Sequence, residues 1–215
     1  GDTAGNPVEG VVVSDGFQCV ATDAGGVYEM KRNAAAEYVY YSVPAEFKIR
    51  TGHDGYPDFY VRLDTSQQKI RQDFTLDRLA GVERNFRLIC IGDPQINEAS
   101  HAVRFKEEAG REIREYAASA GVPCYGITLG DHVNNKWTLF TNMVVALQPE
   151  QTGVPVFATI GNHDHEFPTA DEKAARAKYE SYFGPVDYSF NRGDVHVVSM
   201  DNVIHSCKAS ADYEG

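Results

Sequence analysis

Through the first ~80 residues, apolar and polar positions alternate in short runs separated by turn residues, the signature of an all-β region. Residues 8–13 are apolar and end at Ser14-Asp15-Gly16. Residues 17–22 follow and end at Asp23-Ala24-Gly25-Gly26. Further runs cover 27–30, 38–43, 47–49, 59–63 and 69–76, and His53-Asp54-Gly55 reads as a loop between two of them. Period-2 patterning with turns this frequent predicts a small β-sandwich. After Gly81 the pattern changes. Residues 86–91 form a continuous apolar run, as expected of a strand covered on both faces. A helix is predicted over about 98–120, where Phe105, Ala109, Ile113, Tyr116 and Ala117 recur at helical spacing before Gly121 and Pro123. Strands at 125–129 and 154–160 alternate with helices at 136–147 and 171–183, the last capped by Thr169. A hairpin over 188–200 closes the pattern. Strands alternating with helices mean α/β. The expected fold class is therefore multi-domain, with an N-terminal all-β sandwich over 1–82 and an α/β domain over 83–215.

Composition narrows the function. The chain has 215 residues, 42% hydrophobic and 24% charged, enough apolar material for a packed core. Its net charge of −11 argues against binding to nucleic-acid duplexes or anionic membranes, because the field repels polyphosphate at long range. No run of about eighteen apolar residues exists, so no membrane span is expected. Cys19, Cys90, Cys124 and Cys207 form no C-x-x-C pair. Cys90 and Cys124 lie in apolar runs and are expected to be buried. Neither a G-x-S-x-G elbow nor a P-loop is present, which disfavours serine hydrolase and P-loop chemistry.

The candidate chemistry lies where the three α/β strands end. The first ends in Ile91-Gly92-Asp93-Pro94-Gln95, the second in Leu129-Gly130-Asp131-His132-Val133-Asn134-Asn135, the third in Ile160-Gly161-Asn162-His163-Asp164-His165. Open α/β sheets bind ligands beyond the carboxyl ends of their strands, so the clusters should converge. Carboxylates, amide oxygens and imidazole together suit divalent cations such as Mn, Zn, Fe(II) or Mg. Two such cations can clamp a phosphate and activate water for in-line attack.

These three motifs, in this order, resemble the calcineurin-like metallophosphoesterase superfamily, whose pattern runs Asp-x-His or Asp-x-Gln, Gly-Asp, then Gly-Asn-His-Asp or Gly-Asn-His-Glu. The resemblance implies hydrolysis of phosphate esters by a hydroxide held on a dinuclear metal centre, acting on a small phosphorylated substrate. By position, Asp93 and Gln95 would bind the first metal, Asp131 would bridge, and Asn162 would bind the second. His163 would contact the phosphate and stabilise its charge or protonate the leaving oxygen. Asp164 would buttress the loop. Asn134 stands where some members place an Asp that orients the histidine. His132 and His165 read as loop or supporting residues. The family pattern continues with a lone His and Gly-His-x-His. Only His196 and His205 follow His165, so the catalytic domain is expected to be incomplete at its C-terminus.

Gly10-Val11-Val12-Val13-Ser14-Asp15-Gly16 and Thr22-Asp23-Ala24-Gly25-Gly26-Val27-Tyr28 resemble the regulatory-like sandwich of carboxypeptidases. Together the resemblances imply a periplasmic or secreted bacterial phosphoesterase. The competing reading is a non-catalytic binding module. In it the sandwich recognises a surface partner or glycan through exposed Tyr40, Tyr41, Tyr56 and Tyr60, and the α/β part is a scaffold.

Overall fold

The computed structural model describes residues 1–52 and 54–204; His53, His205 and Cys207 lie outside the described residues. In chain order the elements are β1 (Val12–Ser14), β2 (Cys19–Ala21), β3 (Tyr38–Tyr41), β4 (Tyr60–Arg62), β5 (Arg87–Ile91), α1 (Ala99–Phe105), α2 (Arg111–Ser119), β6 (Cys124–Thr128), α3 (Phe140–Ala146), α4 (Pro149–Thr152), β7 (Val156–Phe157), α5 (Glu172–Phe183), β8 (Tyr188–Arg192) and β9 (Val195–Ser199). They fall into two compact units, neither continuous in sequence. The first takes Gly1–Arg50, Asp58–Arg84 and Asp187–Ser199; the second takes Thr51–Pro57, Asn85–Val186 and the chain from Met200 onward. The division thus does not follow a single cut after residue 82. Among the described residues no helix is long and apolar enough to cross a membrane.

In the first unit, β1 to β4 form one antiparallel sheet in the order β2-β1-β3-β4. Val13 pairs with Val20 on one side and Tyr41 on the other, and Tyr40 pairs with Tyr60. The central strand β3, Tyr-Val-Tyr-Tyr, is buried along its whole length. The patterning predicts the two sheets of a sandwich, but residues 1–82 make this single sheet among the described residues. The runs at 47–49 and 69–76 contribute only isolated bridges, Phe47 to Arg78 and Leu76 to Asp2. Local side-chain bonds compete with ladder pairing in the turns between runs. Asp64 accepts from the Ser66 N–H at 3.0 Å and from the Gln67 amide at 2.8 Å, and Asp23 accepts from the Gly25 and Val27 N–H groups, both at 2.9 Å. The unit's other sheet is the β8–β9 hairpin. The Asn191 N–H donates to the Val43 carbonyl at 2.8 Å, and the fully buried Arg192 donates to the Phe47 carbonyl at 2.6 Å.

The tyrosines expected at the surface are mostly interior. Tyr40, Tyr41 and Tyr56 are buried and Tyr60 is half-buried. Burial, with Asp58 nearby, pushes the Tyr41 hydroxyl up to about 12. The binding-module reading loses its recognition surface with them. The reason is position: β3 is a central strand, and an aromatic run in the middle of a sheet is core.

In the second unit, β5, β6 and β7 form a parallel sheet in that order, with Ile91 opposite Thr128 and Gly126 opposite Val156. Central β6 is buried throughout, whereas β5 is an edge strand whose Arg87 and Cys90 are exposed. The run at 86–91 is therefore not covered on both faces among the described residues, and Cys90, expected inside, is outside; Cys124 is buried. The predicted long helix is α1 and α2 joined by a π-turn over Lys106–Gly110. The cap of α5 is Asp171, whose carboxylate accepts the Ala174 N–H at 2.8 Å, rather than Thr169. Phe140 and Met143 from α3, Ala175, Tyr179 and Phe183 from α5, and Phe157 from β7 form the core. Residues 51–57 join it through Tyr56, whose hydroxyl oxygen accepts the Ala158 N–H at 2.8 Å.

Candidate active site

Beyond the ends of β5, β6 and β7 the chain turns sharply, and three loops meet. Among the described residues the non-glycine positions with left-handed backbone are Asp93 (φ 38°), Gln95 (φ 40°), Asp131 (φ 51°) and Asn135 (φ 56°), all in the first two loops. Such conformations cost about 1–3 kcal/mol each and persist only where the surroundings impose them, typically at functional sites. Here the imposing contacts are visible. The Gln95 N–H donates to the Asp131 carbonyl at 2.8 Å, the Ile96 N–H to that of His132 at 3.1 Å, and the Asn134 N–H to that of Ile96 at 3.1 Å. This zipper extends the β5–β6 pairing past the sheet and brings the first loop onto the second.

The Asp131 carboxylate is held from both sides. Its Oδ2 accepts the Gln95 side-chain amide at 2.8 Å, and its Oδ1 accepts the His163 N–H at 3.0 Å. Close approach of the third loop depends on Gly161. A Cβ there would stand 2.1 Å from Asp131 Oδ1 and 2.3 Å from the Asp131 N. Gly130 (φ 105°) lies against Gly161 in turn. Asn162, His163 and Asp164 form a single 3₁₀ turn.

Asp164, fully buried, ties that turn to the second loop. Its Oδ2 accepts the Gly161 N–H at 3.0 Å and its Oδ1 the Val133 N–H at 3.2 Å. The buried His132 completes the tie, with Nδ1 3.0 Å from Asp164 Oδ2 and Nε2 2.9 Å from Thr128 Oγ1. Thr128 Oγ1 also accepts the Thr159 N–H at 3.0 Å. With its proton on Nδ1, His132 donates to the carboxylate and accepts the Thr128 hydroxyl, so the chain of bonds is satisfied from end to end. A second buried pair lies behind the turn. His165 Nδ1 is 2.9 Å from the Gly161 carbonyl and Nε2 is 3.2 Å from Asp201 Oδ2. Burial disfavours charge on both groups. Their mutual hydrogen bond and attraction outweigh it, so His165 titrates above its ordinary value and Asp201 below.

The geometry brings Gln95, Asp131 and His163 into direct contact and sets Asn162 next to that contact in sequence. Asp93 is exposed, two residues before Gln95. The expectation for Asn134 is corrected: the amide against His163 Nδ1, at 2.9 Å, is that of Asn135. Asn134 is committed through its backbone to Ile96, and Asn135, itself in the left-handed region, presents its own amide to the histidine. The sequence offers a signal for this, since asparagine tolerates the left-handed region better than most residues. Trp137, whose indole N–H donates to the His163 carbonyl at 3.2 Å, and Thr128 also escape motif reading. His196 belongs to the first unit, with Nδ1 2.7 Å from Asn191 Oδ1.

Among the described residues no group of three or more His, Cys, Asp or Glu side chains is placed to hold a metal ion. The expected donor set holds only two carboxylates, Asp93 and Asp131, the rest being amides. Such a set fits a hard divalent cation that keeps part of its water shell, with the Gln95 amide turned to present its oxygen. It does not resemble a closed structural zinc site.

No curated protein and no solved structure matches the chain at a significant level. Residues 1–79 match the family model described as the N terminal of calcineurin-like phosphoesterase. That match supports the same superfamily as the three loop motifs, which lie wholly outside the matched residues.

Proposed function

We propose that the three loops carry a metal-dependent phosphoesterase site acting on a small phosphorylated substrate. The observation that carries this reading is the double hold on Asp131, gripped by the Gln95 amide on one side and the His163 N–H on the other. It has independent support in the family match over residues 1–79. Two divalent cations (Mn, Zn, Fe or Mg) would polarise the phosphoryl oxygens and make water a better nucleophile. Asp93, Gln95 and Asp131 would hold the first, Asp131 and Asn162 the second. The protein's own groups then position and neutralise. His163 is pinned through its N–H to Asp131 and through Nδ1 to Asn135, so Nε2 is the ring atom that can hold a proton at the phosphate or pass it to the leaving alcohol oxygen. The Asp164–His132–Thr128 chain fixes the spacing between the loops that carry Asp131 and Asn162. Residues 1–82 would act as the accompanying domain, and a periplasmic or secreted bacterial setting belongs to the same reading.

The test measures Mn²⁺ binding by electron paramagnetic resonance and phosphate release from p-nitrophenyl phosphate and its diester. Asp131→Asn is expected to weaken Mn²⁺ binding by about tenfold or more and to abolish release. Unchanged Mn²⁺ binding in Asp93→Asn, Asp131→Asn and Asn162→Ala alike would overturn the reading.

A further inference from the structure

We propose that Trp137 and Phe167 form an aromatic shelf beside His163 that stacks the alcohol part of the phosphoester, selecting esters whose alcohol carries a planar ring. The inference rests on the phosphoesterase reading and deepens it to a substrate class. Trp137 opens the 3₁₀ turn Trp137–Leu139 directly after the second loop. The segment 135–137 grips His163 twice. Asn135 Oδ1 lies 2.9 Å from the imidazole Nδ1, and the indole N–H donates to the His163 carbonyl at 3.2 Å. Phe167, four residues past His163, meets the indole edge to face, with centroids 5.1 Å apart and an interplanar angle of 88°. The indole is thus fixed at two edges, and its one polar atom is already bonded.

The two rings differ from the aromatics of the core. Phe140, Tyr179 and Phe183 are fully or almost fully buried, while Trp137 and Phe167 are each only half-buried. Rigid, partly exposed aromatic surface one hydrogen bond from the proposed phosphate-contacting residue suits a planar group attached to that phosphate. Offset or edge-to-face stacking adds to simple apolar burial and is denied to a flexible alkyl chain. Sequence patterning places Trp137 in a helix over 136–147, whereas it stands in the 3₁₀ turn that precedes α3 and donates to the His163 carbonyl.

Trp137 is the only tryptophan in the chain, so its emission reports on the shelf directly. The experiment titrates the intact chain, with Mg²⁺ present, with benzyl phosphate, adenosine 5′-monophosphate, butyl phosphate and inorganic phosphate. It follows fluorescence, with calorimetry as the check. Benzyl and butyl alcohols have similar leaving-group acidity, so they differ chiefly in planarity. The expected result is saturable perturbation of emission by the two ring-bearing esters, bound about three- to tenfold more tightly than butyl phosphate. Phe167→Leu should remove that preference without changing affinity for inorganic phosphate, and Phe167→Tyr should restore it. The adenosine arm distinguishes a nucleobase from a simple aryl group. Equal affinity for benzyl and butyl phosphate in the unmodified chain overturns the shelf alone. Failure of every phosphate compound to bind overturns the phosphoesterase reading and the shelf with it.

Discussion

Replacing Gly161 with alanine tests the convergence of the loops by adding one methyl group. The backbone there is extended (φ −121°, ψ 174°), a conformation alanine adopts freely, so any effect is steric. The new Cβ would lie 2.1 Å from Asp131 Oδ1 and 2.3 Å from its backbone nitrogen. Ordinary contact begins at 3.4 Å, so the third loop must move about 1.1 Å from the Asp131 nitrogen. The carboxylate could swing away alone, but the backbone nitrogen cannot, because Asp131 is pinned on its other side by the Gln95 N–H. Overpacking of this kind costs about 1–3 kcal/mol. Loss of the His163 N–H bond to Oδ1 adds about 0.5–1.5 kcal/mol. For a chain of this size the melting temperature should fall by roughly 5–15 °C. Mn²⁺ affinity should fall by about 10–100-fold, the usual cost of disturbing groups behind metal ligands. Gly92→Ala is the control: a Cβ there meets nothing within 4 Å. Thermal denaturation followed by circular dichroism and Mn²⁺ titration read the two effects. A Gly161→Ala protein that matches the unmodified chain in both would refute the geometry of the site.

Two further outcomes follow from buried bonds. His165 is held above its ordinary value of 6.5 and Asp201 below 3.8. Their stabilisation is therefore fully present between about pH 4 and 6.5 and is lost as pH rises through the folded His165 value or falls through that of Asp201. The difference in unfolding free energy between the unmodified chain and His165→Gln should shrink from pH 6 toward pH 9; a difference that stays constant across that range sinks the assignment. Tyr56→Phe strips the acceptor from the Ala158 N–H in a buried setting and should destabilise by about 1–3 kcal/mol in urea unfolding, with phosphate binding unchanged. A neutral result there would mean that the Tyr56 hydroxyl bond does not help anchor residues 51–57 in the second unit.

The α/β half was legible because its physics is local. Strand Cys124–Thr128 and helix Glu172–Phe183 follow from apolar runs and periodicity, and glycine-acid pairs at strand ends mark the sharp turns where the three loops meet. The β half was less so. The runs at 47–49 and 69–76 alternate well enough to suggest strands, yet they make only isolated bridges, Phe47 to Arg78 and Leu76 to Asp2. Tyr40 and Tyr41 read as exposed because aromatics in a strand suit both a core and a recognition surface; only pairing on both sides decides. At the loop cluster, Gln95, Asp131 and His163 lie in sequence motifs, whereas Asn135 and Trp137 reach His163 through a left-handed turn and an indole bond. Neither leaves a spacing rule.

The hairpin Tyr188–Ser199 has a consequence for the order in which the protein can be made. The first unit begins at Gly1, yet it includes Asp187–Ser199 and so cannot be completed until residue 199 has left the ribosome. From Arg84 to Ser199 is 115 residues, and at synthesis rates of about 5–20 residues per second that is a wait of roughly 6–23 s. Throughout it the Phe47 carbonyl lacks Arg192 and the Val43 carbonyl lacks Asn191. The nascent sheet β2-β1-β3-β4 spends that interval with Phe59, next to β4, short of its ring contact with Tyr188. This is the period in which a chaperone, or aggregation, would meet the protein.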